Sequence, residues 1–217
     1  MTRIRLVGFV LVSTFLAAKP AAAQLCIGSP SFGYAPYQAS IAASFSSGVR
    51  SVDIGAAAGG QTIFGGAGLS ILNFTDVDVR TVGIFGYAGA ELAADRENKI
   101  LLCPIARFDV IAGPDIGPVD VSTTALQGGA SIGIVISDMG DMQVVPFFGL
   151  SAVYSRLRSE FAGSTTTFSD TGGVADLGVG FVFNRTAGIT PSISIPFGTG
   201  GTDDVIFNIR FSFNFGR

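Results

Sequence analysis

From Val205 to Phe215 the chain alternates with a period of two. Val205, Phe207, Ile209, Phe211, Phe213 and Phe215 occupy one set of positions, and Ile206, Asn208, Arg210, Ser212 and Asn214 the other. Successive side chains of an extended strand point to opposite faces. The pattern therefore predicts a strand with one apolar and one mostly polar face. About ten residues is also the length that crosses a bilayer when tilted.

The same alternation recurs upstream. Tyr37, Ala39, Ile41, Ala43 and Phe45 alternate with Gln38, Ser40, Ala42, Ser44 and Ser46. Leu126, Ala130, Ile132, Ile134 and Ile136 alternate with Gln127, Gly129, Ser131, Gly133 and Ser137. Ala175, Leu177, Val179, Phe181 and Phe183 alternate with Asp176, Gly178, Gly180, Val182 and Asn184, and Ile189, Pro191, Ile193 and Ile195 with Thr190, Ser192, Ser194 and Pro196. Ten strands are predicted, at 35–46, 49–59, 61–73, 80–91, 100–112, 124–137, 142–156, 173–184, 188–196 and 203–215. The glycines at 65, 66, 68, 83, 86 and 89 blur the two faces of the third and fourth. Eight strands fit if the first two segments lie outside the sheet.

Composition points the same way. Only 13% of residues are charged, while 48% are hydrophobic; a typical soluble domain is about 25% charged. Either the chain has a Gly-rich, buried all-β core, or its outer surface is not in water. The start of the chain supports the second option. Arg3 and Arg5 precede an apolar run from Leu6 to Ala18, and Ala21-Ala22-Ala23 offers a small-residue cleavage site before Gln24. These are the three parts of a secretory signal peptide. The expected division is a signal peptide at 1–23, a periplasmic segment at 24–34 and a barrel domain at 35–217. Cleavage removes Arg3, Arg5 and Lys19 and no acid, taking the formal net charge from −3 to −6. An acidic chain without a basic cluster argues against nucleic-acid binding.

In lipid every backbone N–H and C=O must be paired internally, so a sheet that crosses a membrane closes into a barrel. Counting from a periplasmic N-terminus, most long connections fall on the external side, including 113–123 and the Ser- and Thr-rich 157–172. The fold expected is all-β: a closed antiparallel transmembrane β-barrel of about ten strands. A secreted soluble sandwich or lipocalin-like carrier is the alternative.

On the signal peptide, the repeated strands and the closing aromatics Phe211, Phe213 and Phe215, the chain resembles small bacterial outer-membrane β-barrel proteins of the OmpA/OmpX kind. The resemblance covers about residues 35–217. It implies an outer-membrane location, lipid and lipopolysaccharide as surroundings, and a last strand whose aromatics are read by the barrel-assembly machinery.

Charges well inside the predicted strands are few: Asp53, Arg107, Asp109, Asp176 and Arg210. In register they face the lumen. A barrel of this size is only slightly wider than the eight-stranded kind that side chains just fill, and an isolated charge there is costly. A plug of Arg107 and Arg210 with Asp109 and Asp176 is therefore expected. It would either pack the lumen or line a narrow, passive, gated pore. Cys26 precedes the first strand and Cys103 lies near the start of a strand that begins at the periplasmic rim. An even count in an exported protein predicts a Cys26–Cys103 disulfide.

No enzyme is expected. The chain has no His, which removes Ser-His-Asp and Cys-His catalysis and His-ligated zinc. No cofactor or metal site is predicted. In or beside the external loops lie Asp76, Asp78, Asp115, Asp120, Glu160, Asp170, Asp203 and Asp204. Such acids are ordinary solvated loop groups, or a means of gathering divalent cations that bridge lipopolysaccharide. The expected role is structural or that of a narrow pore, with surface adhesion through the external loops as the alternative.

Overall fold

A computed structural model describes residues 27–60, 62–75, 79–95, 99–113, 119–139, 141–161, 164–198 and 204–216. The expected signal peptide and Cys26 lie outside these. The described chain is all-β, with strands β1 (Tyr37–Phe45), β2 (Val49–Gly59), β3 (Ile63–Phe74), β4 (Val79–Ala90), β5 (Leu92–Asp95), β6 (Ile100–Ala112), β7 (Val119–Ile134), β8 (Ser137–Met139), β9 (Met142–Phe161), β10 (Ser164–Phe183), β11 (Ala187–Gly198) and β12 (Ile206–Phe215).

Ten of these form a closed antiparallel barrel. Neighbours in sequence pair from β1 through β4, then β6, β7, β9, β10, β11 and β12. The ring closes where β12 returns to β1, from Tyr37 opposite Phe215 to Phe45 opposite Phe207. The short β5 and β8 continue β4 and β7 at one end, on β6 and β9 respectively. No edge remains around the wall, as a sheet in lipid requires.

The alternation sorts inside from outside. Across β2, β3 and β4, Ile54, Leu69 and Ile84 stand side by side, and Val52, Ile71 and Val82 form the next row. All six are exposed on the outer face. Phe207, Phe211, Phe213 and Phe215 of β12 are likewise exposed outward, whereas Ser212 and Asn214 between them are buried. The barrel is thus apolar outside and polar within, the reverse of a soluble sheet.

One expectation about the connections changes. The segment 157–172 is mostly strand: β9 and β10 pair without interruption from Met142 opposite Phe183 to Phe161 opposite Ser164. Its Ser and Thr content suggested a loop, but Thr is a good strand former. Leu157 sits directly opposite Phe168 on β10 and Thr123 on β7, a cross-strand apolar contact that holds the register. For the same reason β7 begins at Val119 rather than 124. At the other end the connections are tight. Asn184 and Arg185 both take positive φ, 48° and 60°, and Thr186 N–H bonds Phe183 O at 3.0 Å. Two left-handed central residues match the twist of a hairpin.

Candidate functional site

The interior is built from three layers of contact. The first is aromatic. Phe64 of β3 and Phe85 and Tyr87 of β4 face inward, and each lies opposite a glycine on the adjoining strand: Phe64 and Gly89, Tyr87 and Gly66, Phe85 and Gly68. A Cβ at Gly66 would stand 2.7 Å from Tyr87 Cζ, and one at Gly68 2.5 Å from Phe85 Cζ. The glycines give the rings room to lie across the wall. Phe85 and Tyr87 have centroids 6.3 Å apart, Tyr87 and Phe64 6.4 Å, and Phe64 and Phe32 6.0 Å, all within the favourable range for ring pairs. Gly68→Ala should therefore cost about 1–3 kcal/mol, the usual penalty of overpacking, because the added methyl meets the Ile54 carbonyl and Gly55 Cα of β2 as well as the Phe85 ring. Urea unfolding followed by the gel-mobility difference between folded and unfolded barrel measures it.

The second layer is ionic. The Arg107 guanidinium lies 4.3 Å from the Phe85 centroid. Its Nη2 donates to Asp53 Oδ2 at 3.0 Å and Asp109 Oδ1 at 2.7 Å, and its Nε donates to Asp109 at 2.9 Å. Ser70 Oγ donates to Asp53 Oδ1 at 2.6 Å. Two carboxylates, one guanidinium and one hydroxyl thus join β2, β3 and β6 over the inner face of β4, along one side of the lumen. Arg107 and Asp109 are two apart on one strand and share a face. Asp53 reaches them from β2.

Arg210 and Asp176 do not join this cluster. Asp176 Oδ1 accepts from Ser194 Oγ at 2.5 Å, and Ser194 Oγ accepts from Asn208 Nδ2 at 2.9 Å, a chain across β10, β11 and β12. Arg210 lies within Coulombic reach of Tyr87, Arg107, Asp53 and Asp176, with no ion pair among the described residues. The expected plug of two arginines and two aspartates is therefore two separate networks. One is centred on Arg107 with Asp53 and Asp109, the other on Asp176 with Ser194 and Asn208. The physical reason is reach: Arg210 stands in register with Asp53 across Ala42 of β1 yet forms no ion pair with it among the described residues, and hydroxyl and amide neighbours satisfy Asp176 where it stands.

The third layer went unforeseen. Residues 27–36, before the first strand, fold into the barrel end. Ser29, Pro30, Ser31, Phe32 and Ala35 are buried there. Thr190 Oγ1 donates to Gly28 O at 2.6 Å. Asn214 Nδ2 donates to Ser31 O at 2.9 Å and Pro30 O at 3.3 Å, and Gln38 Nε2 donates to Asn214 Oδ1 at 2.7 Å. Arg185 covers the Tyr34 ring at 5.1 Å. A segment without apolar periodicity gives no strand signal. The pointers lay elsewhere, in the inward polar Gln38, Thr190 and Asn214, which need partners inside a wall.

Cys103 is fully buried on β6 with Leu101, Val145 and Val182, and Ile27 packs against this group. Cys26 lies outside the described residues.

No protein-family model matches the chain, and no curated protein matches it. Among solved structures it is similar to three small outer-membrane β-barrels. Ail, the attachment invasion locus protein of Yersinia pestis, is 11% identical with a TM-score of 0.39, over 82% of this chain and 96% of that one. Neisserial surface protein A is 12% identical with a TM-score of 0.40, over 82% and 94%. The KdgM porin is 6% identical with a TM-score of 0.42, over 82% and 99%. No match assigns it to the OmpA/OmpX family.

Proposed function

We propose that this chain is a structural barrel of the bacterial outer membrane whose lumen is occluded rather than open. The observation that carries this reading is the occupied interior: the Asp53–Arg107–Asp109 cluster and its aromatic neighbours inside the wall, and residues 28–35 seated at one end. The outward rows of Ile, Leu, Val and Phe support a membrane location and speak against a soluble carrier, for which such a belt would be an aggregation surface. The tight-turn end, where the N-terminal segment sits, corresponds to the periplasmic side, and assembly through the Phe211, Phe213 and Phe215 strand follows from that location. Planar-bilayer recording tests the reading: the purified, inserted protein should pass no steady current, and stable single-channel steps would overturn it in favour of a narrow pore.

A Cys26–Cys103 disulfide belongs to the same reading. Ile27, the next residue, packs against the cluster that holds Cys103, which supports this pairing. The bond would hold the inserted segment at the barrel wall and stabilise the fold by about 2–5 kcal/mol. Alkylation of the denatured, unreduced protein should label neither cysteine; labelling of both rules the bond out.

A second reading, adhesion, is favoured by the β9–β10 hairpin. Past Gly172, where β11 stops pairing with β10, the hairpin continues with β7 alone beside it, and it exposes Phe161 and Phe168. Shortening this hairpin while keeping the barrel should abolish surface attachment if adhesion is the role.

A further inference from the structure

The outermost row of the lipid-facing wall is basic on one side. Outward positions on β2, β3 and β4 run in register: Ile54, Leu69 and Ile84, then Val52, Ile71 and Val82, then Arg50, Asn73 and Arg80. The next residues in that last row are Phe45 on β1 and Phe207 on β12, both exposed. Arg50 and Arg80 are exposed on the outer face too. Neither makes an ion pair or side-chain hydrogen bond among the described residues. Their Cα atoms are two strand spacings apart, roughly 9–10 Å, with an amide between them.

This placement is unusual for an acidic chain. The charged groups of the lumen are mostly carboxylates, yet directly above the apolar belt Arg50 and Arg80 share one row, with no ion pair among the described residues; the exposed Arg156 on β9 stands apart from that row. Elsewhere on the rim, Arg158 is already engaged by Glu160 at 3.2 Å. Two guanidiniums flanking an amide suit the oxygens of a phosphate, which guanidinium binds in bidentate fashion. Height decides which phosphate. One strand step below, the same faces meet hydrocarbon, so the arginines stand in the headgroup layer at the loop end of the barrel.

We propose that Arg50, Asn73 and Arg80 form a binding site for the phosphate of an anionic lipid in the outer leaflet. The contact is direct, made by the side chains and not through bridging divalent cations. It rests on the membrane reading given above and adds a lipid class and a location.

The test uses the whole mature protein in phosphatidylcholine vesicles doped with a bis-phosphorylated glycolipid or with its dephosphorylated counterpart. EDTA is present throughout, and retained glycolipid is measured after delipidation. Wild type should retain the phosphorylated lipid and not the dephosphorylated one. Arg50→Gln with Arg80→Gln should weaken retention about thirtyfold, the effect of two basic residues at an anionic surface. Arg158→Gln should leave it unchanged. Equal retention of the two lipids by wild type, unchanged retention in the double variant, or loss of wild-type retention in EDTA would each overturn the site. The two-lipid comparison decides alone if the double variant does not fold. Failure of wild type to insert, seen as absence of the heat-dependent gel shift, would instead overturn the membrane reading.

Discussion

Arg107→Met should destabilise the barrel by about 1–3 kcal/mol, the cost of leaving part-buried carboxylates without their partner. Methionine keeps much of the side-chain volume and the contact with Phe85, so the loss is electrostatic. Asp53 and Asp109 would remain inside with the Ser70 hydrogen bond, each other's repulsion and Arg210 at Coulombic distance, where Arg107 now bonds both within 3.0 Å. Adding Asp53→Asn and Asp109→Asn to Arg107→Met should recover most of the loss, because neutral amides carry no unpaired charge. Urea unfolding of the vesicle-embedded protein measures all three. The chain has no Trp, so gel mobility is the appropriate signal. If the single and triple variants unfold together, the cluster is not an electrostatic keystone.

Leu69→Arg should cost about 2–4 kcal/mol in a bilayer, the penalty for a cation near the midplane of a barrel wall. Leu69 lies in the middle of the Ile54–Leu69–Ile84 row and is 54% exposed. In water that exposure would make the change harmless or helpful. The sign of the effect therefore separates a barrel that lives in lipid from a soluble one. Equal urea stability of variant and wild type in vesicles would place this face outside the hydrocarbon.

The wall was legible because one constraint wrote it. Each strand that separates lipid from lumen must alternate, and β1, β11 and β12 do so over their full length. Legibility failed on β3 and β4, where Gly66, Gly68 and Gly89 show no face of their own. There Phe64, Phe85 and Tyr87 point inward with the apolar character of a lipid-facing residue. It failed again at 157–172, where polarity outside the membrane says nothing about whether a ladder continues. Within the site, Arg107 and Asp109 are neighbours by strand period alone, but Asp53 depends on β4 lying between β3 and β6, a matter of register. Asp176 is set apart from that cluster by ring position, and Arg210, in register with Asp53 across β1, by which way its side chain reaches; no local pattern encodes either. The seating of residues 27–36 is tertiary throughout.

That seating bears on the order of assembly. Asn214 stands on the final strand and donates to the carbonyls of Pro30 and Ser31, while Gln38 on the first donates to that of Pro30. The donors are separated by 176 residues. The Gln38 half is local, eight residues along the chain, but the Asn214 half meets Gln38 only once β12 has zipped onto β1, so the N-terminal segment is fully held only by a completed ring. Contacts of such long sequence separation carry the largest closure entropy and form last. A nascent cylinder with an unjoined seam would expose Ser29–Phe32 to proteases, and a finished one would shield them. Protection of this short stretch thus times the moment of closure, which pulse proteolysis during refolding can follow.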